Sequence, residues 1–130
     1  MLYGIRLSLD GDLARIEIDD STVTARLSGI TQSISVDVFD AVGLPEGIDV
    51  FVDDEGLYRS SLNIELSVIA RSNGIDGVLF GAGLFLGHAS DGESVSLTDE
   101  QINIIIGWRM QYRPAAEYTA LLAPALLGNI

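Results

Sequence analysis

The sequence predicts an α+β fold: a mainly antiparallel sheet of about five strands, with short helices and a C-terminal helical segment. Three observations point there. Apolar residues alternate at strand spacing in several short runs, most clearly Ile48, Val50 and Val52 against Asp49, Phe51 and Asp53. Turns rich in Asp and Gly separate these runs. Helix-type spacing with cap residues lies between them. A chain of 130 residues is one domain, 1–130, and is long enough to bury a core.

Taken in order, Leu2–Leu9 alternates with Tyr3, Ile5, Leu7 and Leu9 on one side, and Asp10-Gly11-Asp12 is a hairpin turn into Ala14–Ile18. Arg6 and Arg15 are expected on the polar face of that hairpin, near Glu17. Asp19-Asp20-Ser21 reads as an N-cap. It opens a short helix through Thr24, Ala25 and Leu27 that Gly29 ends. Thr31–Phe39 alternates Ile34, Val36 and Val38 against polar residues and reads as a strand. Asp40–Gly47, with Gly43, Pro45 and Gly47, reads as a loop. After the strand at Ile48, Asp53-Asp54-Glu55-Gly56 is a turn, with Gly56 supplying a positive φ.

Leu62–Arg71 places Leu62, Leu66, Ile69 and Ala70 on one helical face, and Ser72-Asn73-Gly74 ends it. Asp76–Gly87 is apolar almost throughout, as a strand buried on both faces must be. Gly81 and Gly83 inside it mark a bulge or a close backbone approach. Ser90–Glu93 is a turn and Val95–Leu97 is extended. Thr98-Asp99-Glu100-Gln101 is a capping box for a helix to about Tyr112. Pro114 then permits a second helix over about Ala115–Leu127, broken near Pro124.

Composition removes several chemistries. There is no Cys, so disulfides, thiolate nucleophiles and Cys-ligated metals are excluded. All seven basic residues are Arg, which excludes a Schiff-base or P-loop lysine. The net charge of −12 repels nucleic acid backbones and anionic membranes, so neither is an expected partner. That charge either keeps a chain that is 48% hydrophobic in solution or imitates a phosphate track. Apolar runs such as Val78–Leu86 are broken by Gly and fall short of a span, so no transmembrane helix is expected. The opening MLYGIRLSLDGD lacks the pattern of a signal peptide.

At Asp53–Asn63 and Gly77–Gln101 the chain resembles a small domain family of unknown function found in bacteriophages and actinobacteria. The residues concerned are the acidic turn Asp53-Asp54-Glu55-Gly56, Leu62-Asn63 opening a short helix, the glycine-containing strand Gly77–Gly87, and the Ser96-Leu97-Thr98-Asp99-Glu100 helix start. They span about half the chain. The resemblance implies an α+β fold and a phage or actinobacterial origin, and no established activity.

Few residues offer catalysis. His88 is the only His and would need a partner such as Asp91 or Glu93. One His argues against a zinc enzyme. Asp53, Asp54 and Glu55 lack EF-hand spacing and read as a turn. Gly81-Ala82-Gly83 has no strand–GxGxxG–helix context. The best ligand-binding constellation is Tyr58 with Arg59, and Trp108 with Arg109, Tyr112 and Arg113, since a guanidinium takes phosphate and a ring stacks a base. The alternative is surface salt bridging, with the aromatics in the core.

The expectation is therefore a non-catalytic phage-type binding protein, cytoplasmic in the host cell, without cofactor or metal, that counters a host function. Its partner is either a small anionic ligand, such as a nucleotide signal held at a homo-oligomer interface, or a host protein met by an acidic DNA mimic. A carboxylate-based hydrolase is the catalytic alternative.

Overall fold

Two hairpins and one late strand build the sheet. The computed structural model describes residues 1–111. They form β1 (Leu2–Leu7), β2 (Leu13–Ile18), α1 (Val23–Ile34), β3 (Phe39–Leu44), β4 (Ile48–Asp53), α2 (Gly56–Arg59), α3 (Ile64–Ser72), β5 (Gly83–His88), β6 (Ser94–Val95) and a helix over 99–111, here α4. The expected helix Ala115–Leu127 lies outside the described residues.

The strand order is β2-β1-β5-β4-β3, and β6 pairs with the end of β5. Every pairing is antiparallel. β1 and β4 therefore run the same way, with β5 reversed between them. The proximal end of the sheet, where β1 and β4 begin, carries the β3–β4 and β5–β6 turns. The distal end, where they finish, carries the β1–β2 turn, α2 and the start of α3. Leu84, Phe85 and Leu86 are fully buried, as a central strand covered on both faces requires.

Helices cover both faces, giving three layers. Ile5, Leu7, Val50, Val52 and Phe85 point to α3 and α4, where Leu66, Ile69 and Ile105 complete one core. Leu2, Ile18, Phe51, Leu84 and Leu86 point the other way, to Ile30 and Ile34 of α1. α4 starts with the expected box: Gln101 N–H donates to Thr98 Oγ1 at 3.1 Å, and Thr98 N–H donates to Gln101 Oε1 at 3.0 Å. Gln101 also donates to the carbonyls of Glu46 and Gly47 in the β3–β4 turn. α4 thus leaves the proximal β3–β4 corner and reaches the distal β1–β2 turn, where Arg109 bonds the carbonyl of Gly11.

The structure confines the strand expected over Asp76–Gly87 to Gly83–His88, because Gly77 and Gly81 turn the chain at positive φ before it, and it corrects four further local expectations. First, α1 does not stop at Gly29 but runs to Ile34, and Ser35 closes it in the left-handed region at φ 58°. Its N-cap is Thr22, whose side chain accepts from Ala25 N–H. The alternation over Thr31–Phe39 is thus no strand, because Ile30 and Ile34 at helical spacing bury against the sheet. Second, Asp40–Gly47 is no loop: β3 occupies most of it. Third, Arg6 and Arg15 lie on opposite faces. Arg6 donates to the Ser33 carbonyl at the end of α1, and Arg15 stands 4.6 Å over the Tyr3 ring. Fourth, Gly56 does not have a positive φ. Its missing Cβ admits Phe80, whose Cβ would stand 2.8 Å from it.

Gly29 has a similar use. A Cβ there would lie 2.6 Å from Cγ2 of Ile18, a β-branched residue only 1% exposed. Helix propensity favours Ala over Gly by about 1 kcal/mol. Overpacking a core costs about 1–3 kcal/mol. Gly29→Ala should therefore destabilise by about 1 kcal/mol; a raised thermal midpoint would show that the helix withdraws freely.

Both ends of the sheet order have one unpaired edge. On β3, Asp54 N–H donates to the Val38 carbonyl. By the antiparallel alternation, Ala41 then turns its backbone outward. The Asp40 carboxylate takes the Ala41 N–H at 2.9 Å, so a charged side chain blunts that edge.

Candidate functional site

The distal end concentrates polar structure. Asp53 ends β4 with only 8% exposure. Its carboxylate accepts Glu55 N–H at 2.9 Å and Ser60 Oγ–H at 3.1 Å, so both oxygens are engaged in shaping the turn. That turn lifts α2 away from the sheet. Tyr58 projects into solvent, 86% exposed. Arg59 folds back, donating to Asp37 at 2.7 Å and Glu55 at 3.4 Å. The bond to Asp37 is the first cause that holds the Arg59 pKa above its ordinary value.

Asn63 caps α3 while almost fully buried, at 1% exposure. Its Oδ1 accepts Leu66 N–H, and its Nδ2 donates to the carbonyls of Gly81 at 2.9 Å and Leu7 at 3.4 Å. Ser67 adds bonds to the Asn63 and Leu79 carbonyls and accepts Leu79 N–H. β1, α3 and the approach to β5 are thereby tied at one point. Among the described residues, no buried side-chain polar atom lacks a partner.

Arg109 on α4 joins this end from the β1–β2 side. Its Nε donates to Glu65 Oε1 at 3.1 Å, and its Nη2 donates to the Gly11 carbonyl. Glu65 is buried in the first turn of α3, a favourable place for an anion. Removing one partner of a buried ion pair is costly. Arg109→Ala should lower stability by about 3 kcal/mol, and Arg109→Lys, which cannot fork, by about half of that. Equal midpoints for Lys and wild type in urea would contradict this.

The sequence-predicted site residues are thus brought to one end but not to one place. Tyr58 and Arg59 sit on α2, where Arg59 is held toward β3. Trp108 packs half-buried on the α3–α4 core, and Arg109 is held toward the β1–β2 turn. Tyr112 and Arg113 lie outside the described residues. His88, at the proximal end, pairs with neither Asp91 nor Glu93. Its Nδ1 lies 3.0 Å from Asp49 Oδ1 across β4 and β5. Ser94 faces His88 in the β5–β6 register, and no hydrogen bond joins them. Among the described residues, no three His, Cys, Asp or Glu are placed to hold a metal ion.

Sequence reasoning missed Glu65, Asp37 and Asp49 as partners. The one available signal was Glu65 directly after an N-cap and helix start. It also missed an open groove of about 370 Å³ beside β3. Buried Val52 and half-buried Val42 form its base, and Leu57, Val78 and Phe80 stand around it. Exposed Asp40 and Asp54 flank it. Asp40 bonds its neighbour's N–H, and neither carboxylate makes an ion pair among the described residues.

The family model described as "Domain of unknown function (DUF3846)" matches residues 5–111. The chain belongs to that family. The matched span of the DUF3846 domain includes all of the sheet except Leu2–Gly4 of β1, and it reaches the last described residue of α4. It therefore contains the acidic turn, the Asn63 cap and the capping box. No curated protein and no solved structure matches this DUF3846 chain. Among the described residues, no helix is long and apolar enough to cross a membrane.

Proposed function

We propose that this domain is a non-catalytic binding protein that occupies a basic partner protein, the form in which a phage-type chain would counter a host function. One observation carries the reading. Arg59 and Arg109 are consumed by the chain's own carboxylates, whereas Glu46, Asp91, Glu93, Asp99 and Glu100 stand exposed around the proximal end without an ion pair among the described residues. An unneutralised acidic surface steers a cationic partner and gives salt-sensitive association.

The test is a calorimetric titration of the full chain against a panel of purified DNA-binding enzymes, at about 50 mM and about 200 mM salt. Binding that competes with duplex DNA and weakens with salt is expected. Absence of binding across the panel at low salt overturns the reading.

The small-nucleotide form has one observation in its favour: Tyr58 is open for stacking directly beside Arg59. It requires Arg59 to leave Asp37 and Arg109 to leave Glu65. A thermal-shift screen against cyclic nucleotides and ADP-ribose derivatives checks it; no shift at high protein concentration removes it.

A further inference from the structure

We infer that the groove beside β3 is the anchoring site for the partner: it takes one aliphatic or aromatic side chain from a segment whose neighbouring residues are Lys or Arg. The inference rests on the basic-partner reading above and adds a place and a chemistry to it.

Two properties of the groove select that occupant. Its interior is apolar, and Leu57 and Val78 stand 67% and 48% exposed at its sides. Exposed aliphatic side chains gathered around a cavity of about 370 Å³ gain by covering one another with an inserted side chain. Its flanks are anionic: Asp40 and Asp54 are exposed and make no ion pair among the described residues. A purely apolar ligand would leave these carboxylates beside a surface drained of water. A cationic segment with a central apolar residue satisfies both parts at once.

Charge also decides among occupants. A second copy would bring a net charge of −12 against another −12. Residues 112–130 contain one Arg and one Glu, so that stretch supplies little cation for two aspartates. The groove is also shaped rather than accidental. Gly56 lets Phe80 approach α2 closely, and the engaged Asp53 carboxylate fixes the turn that carries Leu57.

The experiment uses the full chain and three fluorescein-labelled peptides of about ten residues: one alternating Lys and Leu, one alternating Lys and Ser, one alternating Glu and Leu. Fluorescence anisotropy gives affinities, and backbone NMR shifts give the location. The protein variants are Leu57→Asp and Val78→Asp, both at exposed positions, the pair Asp40→Asn with Asp54→Asn, and a charge-matched control on the exposed β1–β2 hairpin with Asp12→Asn and Glu17→Gln. Far-ultraviolet circular dichroism confirms that each is folded.

The Lys-Leu peptide should bind about tenfold tighter than Lys-Ser. Leu57→Asp, Val78→Asp and the Asp40/Asp54 pair should each weaken it by about tenfold, while the hairpin control stays within about twofold. Equal binding of Lys-Leu and Lys-Ser, unchanged by the groove variants, overturns the groove and leaves the basic-partner reading standing. Binding of the Glu-Leu peptide at the groove overturns the charge argument. NMR contacts placing the chain's own residues 112–130, or a second copy, against Val78 overturn the assignment of occupant. No binding of either cationic peptide, together with no binding across the enzyme panel, overturns both readings.

Discussion

Asn63→Asp should cost about 4 kcal/mol, more than Asn63→Ala at about 3 kcal/mol, although Asp caps helices as well as Asn does. The N-cap bond alone is worth about 1 kcal/mol, and Asp preserves it through an oxygen that still accepts from Leu66 N–H. The other half of the side chain decides. Nδ2 donates to the carbonyls of Gly81 and Leu7, inside a site 1% exposed. Ala leaves two buried acceptors short of a donor, at about 1–3 kcal/mol for an unsatisfied group. Asp does worse, because it turns a second oxygen toward carbonyls and buries a charge among acceptors. Urea denaturation checks this: the midpoint should fall in the order Asn63, Ala, Asp, with an unchanged slope. If Asp kept the wild-type midpoint, the cap and not the donor would be the important half.

Gly4→Ala is the second large effect, expected at about 3 kcal/mol or about 10 °C in melting temperature. A Cβ at Gly4 would lie 2.5 Å from the Phe85 carbonyl oxygen and 2.8 Å from a Leu86 methyl. The backbone of β5 cannot yield, since it pairs with β1 and β4 on its two sides. Strand propensity alone would favour Ala over Gly by about 0.5–1 kcal/mol, so the close approach must overcome that gain. Gly92→Ala is the control. It has open space within 4 Å but a φ of +86°, and should cost only about 1–2 kcal/mol. Comparable losses at the two positions would mean that backbone conformation, and not crowding, governs Gly4.

The stretch from Ile48 to Asn63 was legible in its strand, its turn and its helix start, though not in the backbone of Gly56 or in the short α2. Alternation, an acidic turn and a Leu-Asn helix start all state the same boundaries. The buried centre of β5, Leu84–Leu86, was legible from its apolar run, and α4 from its capping box; the start of β5 was not, since residues 76–82 are equally apolar but turn at Gly77 and Gly81. α1 and β3 were not. Ile34 belongs both to a period of two with Val36 and Val38 and to a helical period with Ile30, and only the sheet beneath selects between them. The residue that ends α1 is Ser35, which carries no C-cap signal. β3 is an edge strand with Ala41 and Gly43 exposed, so it never needed the apolar content that marks a strand.

The candidate site was legible in residue type and not in arrangement. An acidic turn beside Tyr58 and Arg59 could be read directly. The partners of its arginines could not, because Asp37 is 22 positions from Arg59 and Glu65 is 44 positions from Arg109. Local spacing carries no information at that range. The groove is equally hidden, since Val42, Leu57 and Val78 meet only once β3, α2 and the approach to β5 are assembled.

The position of β5 has a consequence for how the chain acquires its structure. Both hairpins are made of neighbouring residues, and units of that kind form in about 1–10 μs. Neither can join the other, because the strand that belongs between them is translated after both. Until Gly83–His88 leaves the ribosome, β1 and β4 each keep an unpaired inner edge flanked by apolar side chains. Completing the sheet thus requires β5 to insert between two strands already made, and an unpaired inner edge is open to the wrong strand until it does.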